Sequence, residues 1–156
     1  MVDLLKHQYN HAVIGGTFDK LHQGHALLIK TACTIAKTVS IGLTSSIYLQ
    51  KYPKKFSEKI FPFDYRIEQL IKFILSLSTE FNFYIFPIDH PWDNFSIKNS
   101  DLDCIIVSEE TLGTAEKINY ERKKNSLKEL SVVIIPGVVS EKGGFYLSST
   151  RLRSEH

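Results

Sequence analysis

Four residues, His22-Gln23-Gly24-His25, place two imidazoles three positions apart at the start of an apolar helical stretch, directly after Gly15-Gly16-Thr17-Phe18-Asp19. The first turn of a helix carries unpaired backbone N–H groups that attract anions, and two imidazoles there add donors for phosphate oxygens. The chemistry that suits such a cluster is nucleotidyl transfer. An acceptor phosphate must reach the α-phosphate of a nucleoside triphosphate while negative charge accumulates, and placed donors and cations can do most of that work. A phosphate monoester is already ionised near neutral pH, so no side-chain nucleophile is required.

Neighbouring residues extend the cluster. Gly15 and Gly16 carry no Cβ, so the backbone there can approach a nucleotide closely, although glycine pairs also mark ordinary turns. Thr17 can hydrogen-bond an acceptor phosphate, Phe18 belongs to the same segment, and Asp19 suits an orienting or turn-capping role better than metal ligation. Lys51, Lys54 and Lys55 can swing in from a polar stretch. Ser148-Ser149-Thr150-Arg151-Leu152-Arg153 has the composition of a capped helix start; its hydroxyls and N–H groups can grip β- and γ-phosphates while Arg151 neutralises departing pyrophosphate. His7, His11, His90 and His156 stand alone and read as structural or solvent-facing. No carboxylate cluster demands a dedicated metal cage, so no metal-ligating residue is assigned and Mg²⁺ is expected to arrive with ATP.

The elements that must position these groups alternate. His11 to Ile14 reads as a buried first strand closed by Gly15-Gly16, and Gly24 to about Lys37 as a helix. Val39 to Leu43 is a second strand, followed by a long polar connection from Thr44 to Pro62 and a helix that Asp64 is expected to cap, with Ile67, Leu70, Ile71, Ile74 and Leu77 on one face. Phe81 to Ile88 and Asp103 to Val107 are further strands; a charged helix over about Thr114 to Leu127 and a fifth strand at Val132 to Ile135 complete the series. This order predicts an α/β fold, a Rossmann-like doubly wound parallel sheet of five strands with helices on both faces. Ligands of such sheets bind beyond the carboxyl ends of the strands, where Gly15-Gly16, Thr44, Ser108 and the serine-rich terminal segment should meet.

Composition narrows the partners. The 156 residues, 43% of them hydrophobic, are the size of one domain, and residues 1–156 are read as a single unit with no linker or repeat. Nineteen basic against 17 acidic residues is too balanced a charge to point to nucleic acid or an anionic membrane. Cys33 and Cys104 lie in apolar stretches without metal-ligand spacing and read as reduced core thiols. No apolar run is long enough for a membrane span and residues 1–10 lack a signal-peptide core, so a cytoplasmic setting is expected.

GGTFDKLHQGH, VSEETLGTAEKIN and SSTRLR together resemble the phosphopantetheine adenylyltransferases of archaeal and eukaryotic type, within the HIGH-motif nucleotidyltransferase superfamily, from about Val13 to Arg153. The resemblance implies transfer of AMP from ATP to 4′-phosphopantetheine, giving dephospho-coenzyme A and pyrophosphate, with coenzyme A as a further ligand. It implies that Thr17 and His25 contact the reacting phosphates and that His22 serves the nucleotide side. Lys51 matches the lysine after the second strand that bridges the substrates, with Lys54 and Lys55 close in register. Ser108, Glu109, Glu110 and Thr111 match the middle signature, Asn119 and Arg122 the helix after it, and Ser148, Ser149, Thr150 and Arg151 the triphosphate-binding segment. Where relatives read D-x-(F or Y)-G-P, this chain has Asp89-His90-Pro91-Trp92-Asp93-Asn94, which bears on pantetheine contacts. No P-loop occurs, so the kinase step that follows is expected on another protein. A cytidylyltransferase using CTP and a catalytically silent nucleotide-binding scaffold are the competing readings, and the sequence leaves oligomeric state open.

Overall fold

Five parallel strands are hydrogen-bonded in the order β3-β2-β1-β4-β5 in the computed structural model, which describes residues 7–53, 57–77 and 81–136. The strands are β1 (Tyr9–Gly16), β2 (Ala36–Thr44), β3 (Asn82–Ile88), β4 (Cys104–Val107) and β5 (Ser131–Ile134), and all four pairings are parallel. The helices are α1 (Gln23–Ile35), α2 (Ser46–Lys51), α3 (Phe63–Ser76), α4 (Asn94–Lys98) and α5 (Leu112–Lys124).

The period-2 alternation of the central strands feeds two cores, one on each face of the sheet. Ala12 and Ile14 of β1 and Cys104 and Ile106 of β4 point one way and pack with Ile29 and Ala32 of α1 and Leu70 and Ile74 of α3. Val13, Ile105 and Val107 point the other way and pack with Ile97 of α4 and Ala115 and Ile118 of α5. Helices therefore cover both faces, as the alternating order predicts.

The strand order reverses at β1, and there the ladder opens. β1 pairs with β2 as far as Gly16↔Leu43, whereas its described partners on β4 end at Val13↔Ile105. Past Val13 the carboxyl ends of β1 and β4 are free to separate, which creates a crevice at the switch point of the sheet.

Several boundaries differ from the sequence expectation. α1 stops at Ile35 and Ala36 already has extended dihedrals, so chain direction changes within one residue instead of running on to Lys37. The stretch after Thr44 is not a plain loop: Ser45 Oγ accepts the amide of Tyr48 at 3.1 Å and starts α2, and a 3-10 turn covers Ser57–Lys59. Pro62, not Asp64, occupies the N-cap position of α3; Asp64 lies in the first turn, where its charge meets the positive end of the helix dipole. The Asp89–Asn94 departure leads into α4, which sequence periodicity did not reveal because it spans little more than one turn. Asp93 Oδ1 caps it, accepting the amide of Ser96 at 2.6 Å.

Candidate active site

The two histidines build the start of α1. His22 is the N-cap: its Nδ1 accepts the amide of Gly24 at 3.0 Å, while Nδ1 of His25 accepts the amide of His22 at 3.2 Å. The pair forms a capping box made from imidazoles. Gly24 allows it to close, because a Cβ at that position would meet the His22 ring at 2.7 Å. A neutral imidazole that accepts at Nδ1 carries its proton on Nε2. Both rings thus keep one Nε2–H donor for a ligand. Their centroids lie 4.0 Å apart, and the Phe18 ring sits 5.1 Å from that of His25.

Burial, and secondarily the neighbouring His22, pushes the His25 pKa down from 6.5 to about 3, and burial lowers that of His22. Near neutral pH both rings are uncharged donors. The attraction for phosphate comes from their N–H groups and the helix terminus, whose first turn holds no acidic residue. This has a consequence for stability. Below pH 6.5 the unfolded chain protonates this histidine while the folded chain does not until about pH 3, so stability is complete above 6.5 and falls as pH drops through that window. The slope contributed is at most about 1.4 kcal/mol per pH unit. Urea melts at pH 7 and pH 4.5 are expected to show a larger loss for the wild type than for His25→Asn; equal losses would mean that His25 binds protons alike in both states.

The crevice between β1 and β4 is a cavity of about 360 Å³. Gly15, Gly16, Phe18, His22 and His25 line one side, Thr44, Tyr48, Ile88 and Pro91 a second, and Ser108, Glu109, Glu110 and Thr111 a third. The described chain reaches its rim again at Ile135 and Pro136. The lining is chemically uneven. The segment after β1 offers neutral imidazole donors and a helix N-terminus, whereas the 3-10 turn Glu109–Thr111 after β4 carries two adjacent carboxylates. Ser108 holds that turn in place, its amide donating to Thr111 Oγ1 at 3.1 Å.

Comparison with known proteins agrees with this geometry. The cytidylyltransferase-like family description matches residues 13–155. A phosphopantetheine adenylyltransferase of Pyrococcus furiosus is 37% identical over 96% of this chain and 91% of its own length, and that of Thermococcus kodakarensis is 36% identical over 96% and 88%. The chain belongs to the phosphopantetheine adenylyltransferases, within the cytidylyltransferase-like family. Among solved structures, an Archaeoglobus fulgidus protein of unknown function superposes with a TM-score of 0.69 at 27% identity, covering 80% of this chain and 88% of the other.

Within this adenylyltransferase fold the sequence-named residues differ in where they lie. Gly15, Gly16, Phe18, His22, His25, Thr44, Ser108, Glu109 and Glu110 all line the cavity. Thr17 lies between two lining residues, is 7% exposed, and accepts a hydrogen bond from Thr44 Oγ1 at 3.3 Å. Lys51 is exposed at the last position of α2, one turn beyond Tyr48 and on the same side of that helix. Lys54, Lys55, Ser148, Ser149, Thr150 and Arg151 lie outside the described residues.

Asn119 and Arg122, which the family resemblance set at the site, do not line the cavity formed by the described residues; their side chains bind backbone groups. The Asn119 amide clamps one backbone unit, accepting Leu130 N–H at 2.7 Å and donating to Leu130 C=O at 3.0 Å. Arg122, 1% exposed, donates from Nη1 to the carbonyls of Ser96 and Asn99 and from Nε to that of Lys128. Their side chains tie down the turns around α4 and the approach to β5. Asp19 has the orienting role expected of it, its Oδ1 accepting the amide of Phe61 at 3.2 Å.

Sequence reasoning missed Tyr48 as a lining residue, and reached Pro91 and Asp93 only through the departure from the family pattern at Asp89 to Asn94. Local signals for two of them existed: Ser45 three residues before Tyr48, and Asp93 three before Ser96, each a helix-capping spacing. No group of three or more His, Cys, Asp or Glu among the described residues is placed to hold a metal ion, and no described helix is long and apolar enough to cross a membrane.

Proposed function

We propose that this chain transfers AMP from ATP to 4′-phosphopantetheine, releasing pyrophosphate and forming dephospho-coenzyme A for coenzyme A biosynthesis. The observation that carries the reading is the polarity of the cavity. Phosphates are favoured beside His22, His25 and the start of α1, and are repelled by Glu109 and Glu110, so a nucleotide is oriented with its ribose and base toward the acidic turn. The triphosphate then faces the flank formed by Thr44, Tyr48 and Ile88, where an acceptor with a phosphate head and a largely apolar arm fits. The relatives' shared name identifies such an acceptor.

In this reading the acceptor phosphate oxygen attacks the α-phosphorus of ATP, the bond to the β-phosphate bridge breaks, and pyrophosphate leaves with the electron pair. His25 and His22 donate Nε2–H bonds to the phosphoryl oxygens as charge builds, and Thr17 donates its hydroxyl. Lys51 supplies mobile positive charge from the end of α2, and Arg151 supplies it to the leaving pyrophosphate. Magnesium would enter with the substrate as MgATP and screen the triphosphate.

Purified protein incubated with Mg²⁺, 4′-phosphopantetheine and either ATP or CTP, with products identified by mass and pyrophosphate followed, tests the proposal. Dephospho-coenzyme A from ATP is the expected result, with EDTA abolishing it. Product from CTP alone would overturn the nucleotide assignment, and no product from either would favour a silent nucleotide-binding scaffold.

A further inference from the structure

Arg66 was not among the residues singled out by sequence, yet it is 1% exposed and bonded to Thr17 and to the cavity-lining Thr44. It projects from the first turns of α3 and ties three distant segments together. Its Nε donates to the carbonyl of Phe61 at 2.8 Å, and Nη1 donates to the carbonyl of Thr17 at 3.0 Å and to Thr44 Oγ1 at 3.5 Å. Nη2 is buried with no hydrogen-bond partner among the described residues. Burying a guanidinium with one donor group unmatched is costly, and a hydrophobic residue would fill the same space without that cost.

The direction of the hydrogen bonds shows what the charge achieves. A guanidinium has donors and no acceptor, so the Thr44 oxygen must turn a lone pair toward Arg66. Its proton then points elsewhere, and Thr44 Oγ1 donates to Thr17 Oγ1 at 3.3 Å. Thr17 in turn accepts, which leaves its own proton as the free end of the chain. The bond from Nη1 to the Thr17 carbonyl also holds the peptide that precedes Phe18, whose φ of 48° lies in the left-handed region that a bulky residue rarely adopts.

We propose that Arg66 is a positioning residue: through Thr44 it polarises a one-way hydrogen-bond relay that makes the Thr17 hydroxyl an obligate donor to substrate phosphate. Without it the two threonine hydroxyls can reverse, and Thr17 can present a lone pair that repels phosphate. Because each hydroxyl in a chain of this kind strengthens the next, the donor delivered at Thr17 is stronger than that of a free threonine. This role rests on the adenylyl-transfer reading above.

The test uses wild type, Thr44→Val, Thr44→Ser and Arg66→Lys. Valine keeps the shape of threonine and removes the relay; serine restores it; lysine keeps a buried donor and charge. With MgATP and 4′-phosphopantetheine, Thr44→Val is expected to lower kcat roughly ten-fold or more, with KM for ATP within about two-fold, since one charge-directed hydrogen bond is lost in the transition state. Thr44→Ser is expected to recover most of the loss, and Arg66→Lys to keep most of the wild-type kcat. Thermal melts report folding separately. A folded Thr44→Val with wild-type kcat, or a loss that serine does not rescue, would overturn the relay. If the wild type forms no dephospho-coenzyme A, the functional reading fails on its own, and the relay is then judged by calorimetry with 4′-phosphopantetheine, whose phosphate Thr17 would hold: weaker binding by Thr44→Val and wild-type binding by Thr44→Ser support it, and equal affinities overturn it.

Discussion

His25→Ala is expected to lower kcat by on the order of 10²-fold or more while the protein stays folded. The ring contributes in two ways of very different size. Its Nδ1 satisfies one amide at the start of α1, a capping contact worth about 1 kcal/mol. Its Nε2–H is held for a ligand in a partly buried site, where a donor aimed at developing phosphoryl charge is worth several times more than it would be in water. The alanine variant should therefore show a small fall in Tm and a large fall in kcat, with KM for ATP changing less than kcat. His25→Asn, which retains an N–H donor on a shorter side chain, should fall between the two. The measurement is steady-state turnover alongside a thermal melt; wild-type turnover in a folded alanine variant would remove His25 from the mechanism.

Replacing Arg122 should produce the opposite pattern. Arg122→Leu leaves the carbonyls of Ser96, Asn99 and Lys128 without their donor in a buried turn. Stripping one side from a buried, charge-assisted cluster costs about 3–5 kcal/mol. That is a large fraction of the total stability of a domain, and corresponds to a fall in Tm of roughly 10 °C. At a temperature where the variant remains folded, kcat and KM for ATP are expected to stay within about three-fold of wild type, because the side chain is outside the cavity. An unchanged Tm with a raised KM for ATP would instead place Arg122 on the nucleotide, as family resemblance implied.

The difference between these two residues shows where sequence reasoning succeeds and where it stops. His22 and His25 were legible because everything that defines them is local: the capping contacts span two and three residues, and Gly24 between them is required by the His22 ring. Strand identities were legible for a similar reason, since Ala12, Ile14 and Val13 alternate faces and Cys104 to Val107 is apolar on both. Short elements were not. α2 and α4 are too brief to establish a helical period, and only their caps announce them.

By itself the sequence determined an alternating α/β chain with a phosphate-directed helix start after its first strand, because hydrophobic periodicity, capping and glycine geometry act over a few residues. Only the tertiary structure decided which polar side chains serve the site. Strand order β3-β2-β1-β4-β5 opens the crevice between β1 and β4, sends Asn119 and Arg122 to backbone carbonyls, and brings Arg66 to Thr17 across 49 residues of chain. A buried donor takes the acceptor that the fold sets beside it, and that choice depends on contacts between segments whose separation in sequence carries no local signal.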